Sequence, residues 1–173
     1  MHWVVSLLLA VGVGAAGADR AAAQTSDRNL FERVADAVHS YPPYGVFDSV
    51  DVDVRSQAVT LSGRVTDARK RDDIEDRVRR IDGIRAVTND IGVLPVSASD
   101  DALRYRVARS IYNHPMFWVH GQRPMPPIHV IVERGRITLT GVAANGAERA
   151  MALSLAQVPG SSGVIDRLRV ASP

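Results

Sequence analysis

A sequence repeat constrains the fold of this 173-residue chain more than any other feature. The segment V-T-L-S-G at residues 59–63 recurs as I-T-L-T-G at residues 137–141. Alternating valines at residues 50–54 precede the first copy, and the segment I-H-V-I-V at residues 128–132 precedes the second. Apolar residues of the flanking segments match at nearly the same spacing. The chain is therefore predicted to contain two similar units of about 70 residues, a size near the lower limit for an independent core.

Apolar spacing within each unit predicts the order of its helices and strands. In the first unit, Leu30, Val34 and Val38 fall on one face of a helix, whereas residues 50–54 and 59–63 alternate as strands do. A hairpin joins the two alternating runs, and a second helix and a third strand follow. The sequence thus predicts an α+β chain of two tandem αββαβ units. Each unit is expected to form a small three-stranded mixed sheet with two helices on one face.

An uncharged apolar segment precedes the repeat. Residues 1–18 contain no Asp, Glu, Lys or Arg, and the Ala-rich run that follows ends in an A-x-A pattern at Ala23. These features predict a cleavable signal peptide at residues 1–23 and a periplasmic location for the mature chain. Cleavage after Ala18, or retention of the segment as an anchor, stays open because about 18 uncharged residues are borderline for a membrane span.

The repeat also sets the expected domain boundaries. The first domain is predicted at residues 27–96 and the second at residues 100–171, with an insertion near residues 114–127 of the second. Gly63 and Gly141 end the two repeated motifs at the same phase. A glycine among inward-facing strand residues indicates a close approach of the backbone, so a structural role is expected for both.

Composition excludes several classes of function. The chain has no cysteine, which rules out disulfides, cysteine-ligated zinc and thiol nucleophiles. A net charge of +2 is too balanced to indicate a nucleic-acid partner. The charge is unevenly divided, since residues 27–95 hold 11 basic and 13 acidic side chains and residues 96–173 hold 9 and 5. Asp48, Asp51 and Asp53 precede or alternate along a strand and are expected to be solvated.

No motif for catalysis or cofactor binding is found in the sequence. It has no G-x-S-x-G elbow, no P-loop and no dinucleotide-binding glycine pattern. His114, His120 and His129 share a region but lack the spacing and the carboxylate cluster of a metal site. The prediction is a non-enzymatic protein with no metal, no cofactor and no small-molecule substrate.

The insertion combines large apolar side chains with an arginine. Such a group suits a lipid interface, with Trp118 at headgroup depth and the guanidinium of Arg123 on a phosphate. Alternatively, Phe117 and Trp118 fold back over the small core or fill the seam between the units. The prolines at residues 124, 126 and 127 are expected to keep the insertion out of regular structure. The candidate residues for lipid or partner contact are Phe117, Trp118, Arg123 and Met125 in the insertion, with Arg106 and Arg109 on the preceding helix.

The two hairpins and the closing segment resemble a known module. V-T-L-S-G, I-T-L-T-G and the segment I-D-G-I-R-A-V-T-N-D-I-G-V at residues 81–93 resemble the BON domain, which is found in bacterial OsmY-like periplasmic proteins. The resemblance covers nearly all of the mature chain, although it is loose at residues 160–164. It implies an αββαβ fold and an envelope location. It also implies binding of phospholipid or of other envelope partners, without catalysis.

Three roles follow from these observations. The first is binding of anionic phospholipid through the second unit, in support of envelope integrity or stress tolerance. The second is a protein-interaction or chaperone-like module that acts on envelope proteins. The third is a structural accessory of an envelope assembly, for which an exposed sheet edge could accept a partner strand.

Overall fold

Two three-stranded sheets organise the chain. The computed structural model describes residues 15–123 and 125–171. The elements of the first unit are α1 (Ala15–His39), β1 (Ser49–Arg55), β2 (Ala58–Val65), α2 (Ala68–Arg79) and β3 (Ala86–Val93). Those of the second are α3 (Ala98–Tyr112), α4 (Trp118–Gly121), β4 (Ile128–Glu133), β5 (Arg136–Ala143), α5 (Gly146–Leu155) and β6 (Gly163–Val170).

Both sheets have the same mixed topology. In the first unit β2 is central, antiparallel to β1 and parallel to β3, and the strands of the second unit repeat this order as β4-β5-β6. In the first unit α1 packs on β1 and α2 packs on β3 and β2. The prediction of two tandem αββαβ units is confirmed. The insertion, however, contains one helical turn at Trp118–Gly121, so the expectation that it lacks regular structure is wrong there.

The first helix reaches into the predicted leader. Residues 1–14 of that leader lie outside the described residues, whereas the backbone of residues 15–23 forms the first part of α1. Among the described residues, no helix combines the length and the apolar character that crossing a bilayer requires.

Each unit has a core of its own, built from the residues whose spacing predicted the elements. Leu30, Val34 and Val38 of α1 are at most 4% exposed and form one cluster with Leu61 and Ile74. Burial of each such side chain contributes about 1.5–3 kcal/mol, which stabilises a chain without disulfides. The cluster of the second unit includes Leu103, Val107, Ile111, Phe117, Val130, Ile137, Leu139 and Leu168.

An aspartate at the start of each unit holds the hairpin turn. Asp100 is 4% exposed, and its carboxylate accepts hydrogen bonds from the backbone N–H groups of Arg134 and Gly135, both at 2.8 Å. Asp27 accepts equivalent bonds from the turn at residues 56–57, at 2.8 and 3.0 Å. Both residues of each turn have positive φ, which suits a two-residue hairpin. The sequence analysis missed this contact, although both aspartates stand three residues before a repeated leucine.

We expect Asp100→Ala to lower the free energy of unfolding by about 2 kcal/mol, because two turn amides lose a charged acceptor. Asp27→Ala is the matched variant, and its more exposed carboxylate predicts a smaller loss. Urea denaturation followed by circular dichroism measures both. Equal stability of Asp100→Ala and the parent protein would contradict this role.

Candidate functional site

The insertion is anchored to the core by one aromatic side chain. Phe117 is fully buried and belongs to the core of the second unit. The rings of His114 and His120 lie 6.3 and 6.4 Å from its ring centre. Phe117 was expected among the contact residues, but the structure makes it the residue that fixes the insertion to the fold.

Its neighbours in the chain are exposed. Met116, Trp118 and Val119 have 40%, 64% and 69% of their surface exposed. Trp118 therefore does not fold back over the core, in contrast to Phe117. The three exposed side chains form what we call the apolar turn. Neighbouring apolar residues left in solvent are typical of a surface that contacts a membrane or another protein.

The arginines predicted to contact a partner differ in whether their guanidinium groups are already bonded within the protein. Arg123 is exposed and lies two residues after α4, with its backbone N–H donating to the carbonyl of His120 at 3.2 Å. Arg109 is exposed on α3, and neither guanidinium has an ion-pair partner among the described residues. Arg106 is also exposed, but it donates a hydrogen bond to the carbonyl of Pro159 in its own unit. Arg109 and Arg123 are therefore the freer candidates for contact with an anion.

Met125 lies at the seam between the units. It is half-buried and packs against the core of the first unit. In the opposite direction, Phe47 of the first unit packs against the core of the second, and its ring meets that of Tyr105 edge-on at 5.0 Å. The two units thus exchange apolar contacts.

The loop before β1, residues 44–48, contacts β4 directly, and we call it the docking loop. The carbonyl of Val46 accepts a hydrogen bond from the N–H of Val130 at 2.8 Å, and that of Gly45 accepts one from Nδ1 of His129 at 3.2 Å. The ring of Tyr44 meets the ring of His129 edge-on at 5.6 Å. Residues 128–132 are all buried, which their sequence alone does not explain. Docking of the first unit explains it.

This docking loop is held by a buried ion pair. Asp48 is 0% exposed, so the expectation that it is solvated is wrong. Its carboxylate accepts hydrogen bonds from the N–H of Gly45 at 2.9 Å and from the N–H and hydroxyl of Thr66 at 2.8 and 3.0 Å. Lys70, the only lysine of the chain, completes the set at 2.6 Å. Four donors compensate the loss of water around the buried charge.

The two repeated glycines lie where strands approach closely. Gly63 and Gly141 have φ values of +126° and +99°. A Cβ atom on either one would lie 2.1 Å from a backbone carbonyl oxygen, that of Ser49 or that of Pro127. Any larger residue would therefore displace the neighbouring strand.

Side chains occupy part of both outer sheet edges. Oδ1 of Asn89 accepts from the N–H of Ile91 at 3.1 Å, and Oδ1 of Asp166 accepts from the N–H of Leu168 at 2.9 Å. Although burial acts in the opposite direction, this amide and the guanidinium of Arg149 lower the pKa of Asp166. Each of these amides is already bonded and is therefore not available to a partner strand added along β3 or β6.

Nothing in the described part of the chain assembles a metal centre. No group of three or more histidines and carboxylates converges there. His120 instead lies 3.5 Å from Glu148 of α5, and His129 lies in the seam.

Comparison with known proteins identifies the repeated unit. The family model described as the BON domain matches residues 26–95 and again residues 99–172. No curated protein matches the chain. Two solved structures of CdsD, a structural protein of the type III secretion system of Chlamydia trachomatis, are distantly similar. The C-terminal-domain structure is 14% identical, with 85% of this chain and 67% of that chain covered and a TM-score of 0.34. The other is 12% identical, with 83% and 94% covered and a TM-score of 0.29.

Lys70→Met should destabilise the protein by about 3 kcal/mol, because it leaves the charge of Asp48 buried without its ion-pair partner. Arg69→Met, at the neighbouring exposed position, is the control and should leave the free energy of unfolding unchanged. Urea denaturation at neutral pH compares the two. A loss shared equally by both variants would show that the pair with Asp48 is not the cause.

Acidification should weaken the seam through His129. Burial lowers the pKa of His129 below its ordinary value of about 6.5, as does nearby His39, while the Gly45 carbonyl and Asp48 act in the opposite direction. Below about pH 6.5 the unfolded chain therefore binds a proton that the folded chain resists, so stability falls as pH falls. Thermal unfolding at pH 7.5 and 5.5 should show a smaller loss for His129→Gln. An identical loss in both proteins would exclude His129 as a cause.

Proposed function

The chain belongs to the BON-domain family, and on that premise we propose that it is an exported envelope protein that binds anionic phospholipid surfaces through its second unit. BON domains are generally non-enzymatic and typical of envelope or periplasmic proteins. Export relies on the leader predicted at residues 1–23, and the contact surface on the apolar turn with Arg123. Support of envelope integrity or stress tolerance would follow from such binding.

One observation carries the proposal. Trp118 and Val119 are the most exposed large apolar side chains of the second unit, and they sit on a turn that the fully buried Phe117 fixes to the core. Ordering of this turn before binding reduces the entropy that membrane contact would otherwise cost. An exposed, unanchored loop would lack this advantage.

Physical chemistry indicates how the contact would form. Indole side chains favour the boundary between headgroups and acyl chains, where the ring is buried in an apolar layer and its N–H stays near water. The unpaired guanidinium of Arg123 can bind a lipid phosphate with two parallel hydrogen bonds. Each basic residue near an anionic surface adds about 1 kcal/mol, an attraction that salt weakens. The basic excess of residues 96–173 acts in the same direction.

A protein partner is the second candidate. The same apolar turn could be covered by an envelope protein, in a protein-interaction or chaperone-like role. In that case chemical crosslinking through the turn would capture the partner, and the purified chain would show little affinity for vesicles.

We expect the purified mature chain to sediment with vesicles that contain phosphatidylglycerol, and to do so less as salt rises. Trp118→Ala combined with Arg123→Ala should reduce the affinity by about tenfold or more, because one buried indole and one phosphate contact are lost. Both side chains are exposed, so the melting temperature should not change.

Phe31→Ala is the matched control, since Phe31 is 42% exposed on α1 of the first unit. Its vesicle binding should equal that of the parent protein. No sedimentation at low salt, or equal loss in the control, would overturn the proposal and leave the protein-partner role.

A further inference from the structure

The helix-free faces of the two sheets form a cleft between the units. Core residues such as Leu61 alternate along β2 with residues such as Ser62 that point away from the helices. The corresponding face of the second sheet lies opposite. The cleft has a volume of about 630 Å³, and residues from the sheets of both units line it.

The wall from the first unit is acidic. Asp51 and Asp90 lie on either side of Ser62, which pairs with Asp51 across β1–β2 and with Asp90 across β2–β3. Neither carboxylate has a hydrogen bond or an ion pair within the described residues. Two free carboxylates therefore flank one hydroxyl on this wall.

The wall from the second unit is basic. Arg136 on β5 and Arg167 on β6 line the cleft, and their guanidinium groups have no ion-pair partner in the described segments. The hydroxyls of Thr138 and Thr140 lie between them along β5, where Thr140 pairs with Arg167 across the strands. This wall offers donors for a carboxylate along its whole length.

Direct contacts join the two walls at the seam. The hydroxyl of Thr140 donates to that of Ser49 at 2.8 Å, and Arg64 lies 3.6 Å from Glu133. These contacts use one charge of each sign and leave the other charged groups of the cleft free. These contacts therefore fix the two walls to each other, with opposite free charges on the two sides of the cleft.

The side chains that line the cleft determine which kind of ligand it can bind. Among the lining residues only Ile131 and Ile165 are large and apolar, and none is aromatic, so an acyl chain or a flat ring finds little to contact. A wholly anionic ligand would meet the carboxylates of the first wall, and a wholly cationic ligand would meet the arginines of the second. A molecule that carries both charges matches both walls. The volume falls within the range of about 300–1,000 Å³ that is typical of pockets for drug-sized ligands, and glycine, the smallest amino acid, would fill only a small part of it.

We propose that this cleft binds a short peptide of mixed charge. A cationic group of the peptide lies against Asp51 and Asp90, and a carboxylate lies against Arg136 and Arg167. The hydroxyls of the cleft bond to the peptide backbone between them. Because the apolar turn contributes no residue to the cleft, this binding is independent of the proposed contact with lipid.

The tetrapeptide Lys-Gly-Gly-Glu, acetylated at its N-terminus and amidated at its C-terminus, is a suitable probe, and isothermal titration calorimetry at low salt measures its binding. Glu-Gly-Gly-Glu and Lys-Gly-Gly-Lys with the same blocked ends each carry only one sign of charge, so they test the need for both charges, and each should bind at least about tenfold more weakly. Free glycine tests the need for size. Phosphoethanolamine, which carries both charges of a lipid headgroup, tests the other source of such a ligand.

Neutral variants of each wall test the assignment. Asp51→Asn with Asp90→Asn, and separately Arg136→Gln with Arg167→Gln, should each weaken binding of the probe by about tenfold or more. The matched controls are Asp53→Asn on β1 and Arg169→Gln on β6. Each follows a cleft residue on the same face of its strand but lies outside the lining. All these side chains are exposed, so the variants should keep the parent melting temperature.

The controls should bind the probe as the parent protein does, and the wall variants should still sediment with vesicles. The proposal is overturned if the probe does not bind, if all three peptides bind equally, or if wall and control variants behave alike. Tighter binding of glycine or of phosphoethanolamine than of the probe would also overturn it. Vesicle binding that fails while the probe binds would remove the lipid role alone.

Discussion

The buried carboxylate of Asp48 holds the loop on which the two units meet. It binds the N–H of Gly45 and the ammonium of Lys70, and solvent does not reach it. The carbonyls of Gly45 and Val46 are in turn the groups that bond to the second unit. The relative position of the sheets, and hence the shape of the cleft, therefore depends on a charge of the first unit. Because a lone buried charge is costly, Asp48 and Lys70 stabilise this geometry only together.

Residues at matching positions of the two units stabilise the fold, whereas the residues proposed for function lie at positions that do not match. Asp27 and Asp100 make the same hairpin contact in both units, since each αββαβ unit must fix its own turn. Asp48 has no such counterpart. Gly63 lies against the carbonyl of Ser49, the residue after Asp48, and Gly141 lies against the carbonyl of Pro127, the residue after Pro126. Pro126 therefore occupies the position in the second unit that Asp48 occupies in the first. One unit therefore offers the docking loop, and the other receives it.

Local periodicity predicted the fold because helices and strands bury every fourth or every second residue. Periodicity could not predict that Phe117 is buried and Trp118 exposed, because both are large aromatic residues at adjacent positions. Packing against distant strands decides which of the two is buried. Periodicity failed likewise at Asp48, whose partner Lys70 is 22 residues away on α2, whereas Asp51 is exposed as expected. Contacts between elements decide such positions. Local periodicity could not predict the cleft either, because its two walls come from different units and their contacts do not appear in the spacing within either unit.

The way in which the two units face each other explains part of the uneven division of charge along the chain. The acidic first unit and the basic second unit face each other across the cleft, so part of the basic excess belongs to an internal surface. Arg136 and Arg167 lie on that surface, whereas Arg123 lies beside the apolar turn. At physiological salt the Debye length is about 8 Å, so exposed charges act mainly on what lies close to them. Net charge alone therefore overstates the attraction of the second unit to a membrane. The local environment of each arginine, whether a facing carboxylate or an exposed indole, decides which partner it can bind.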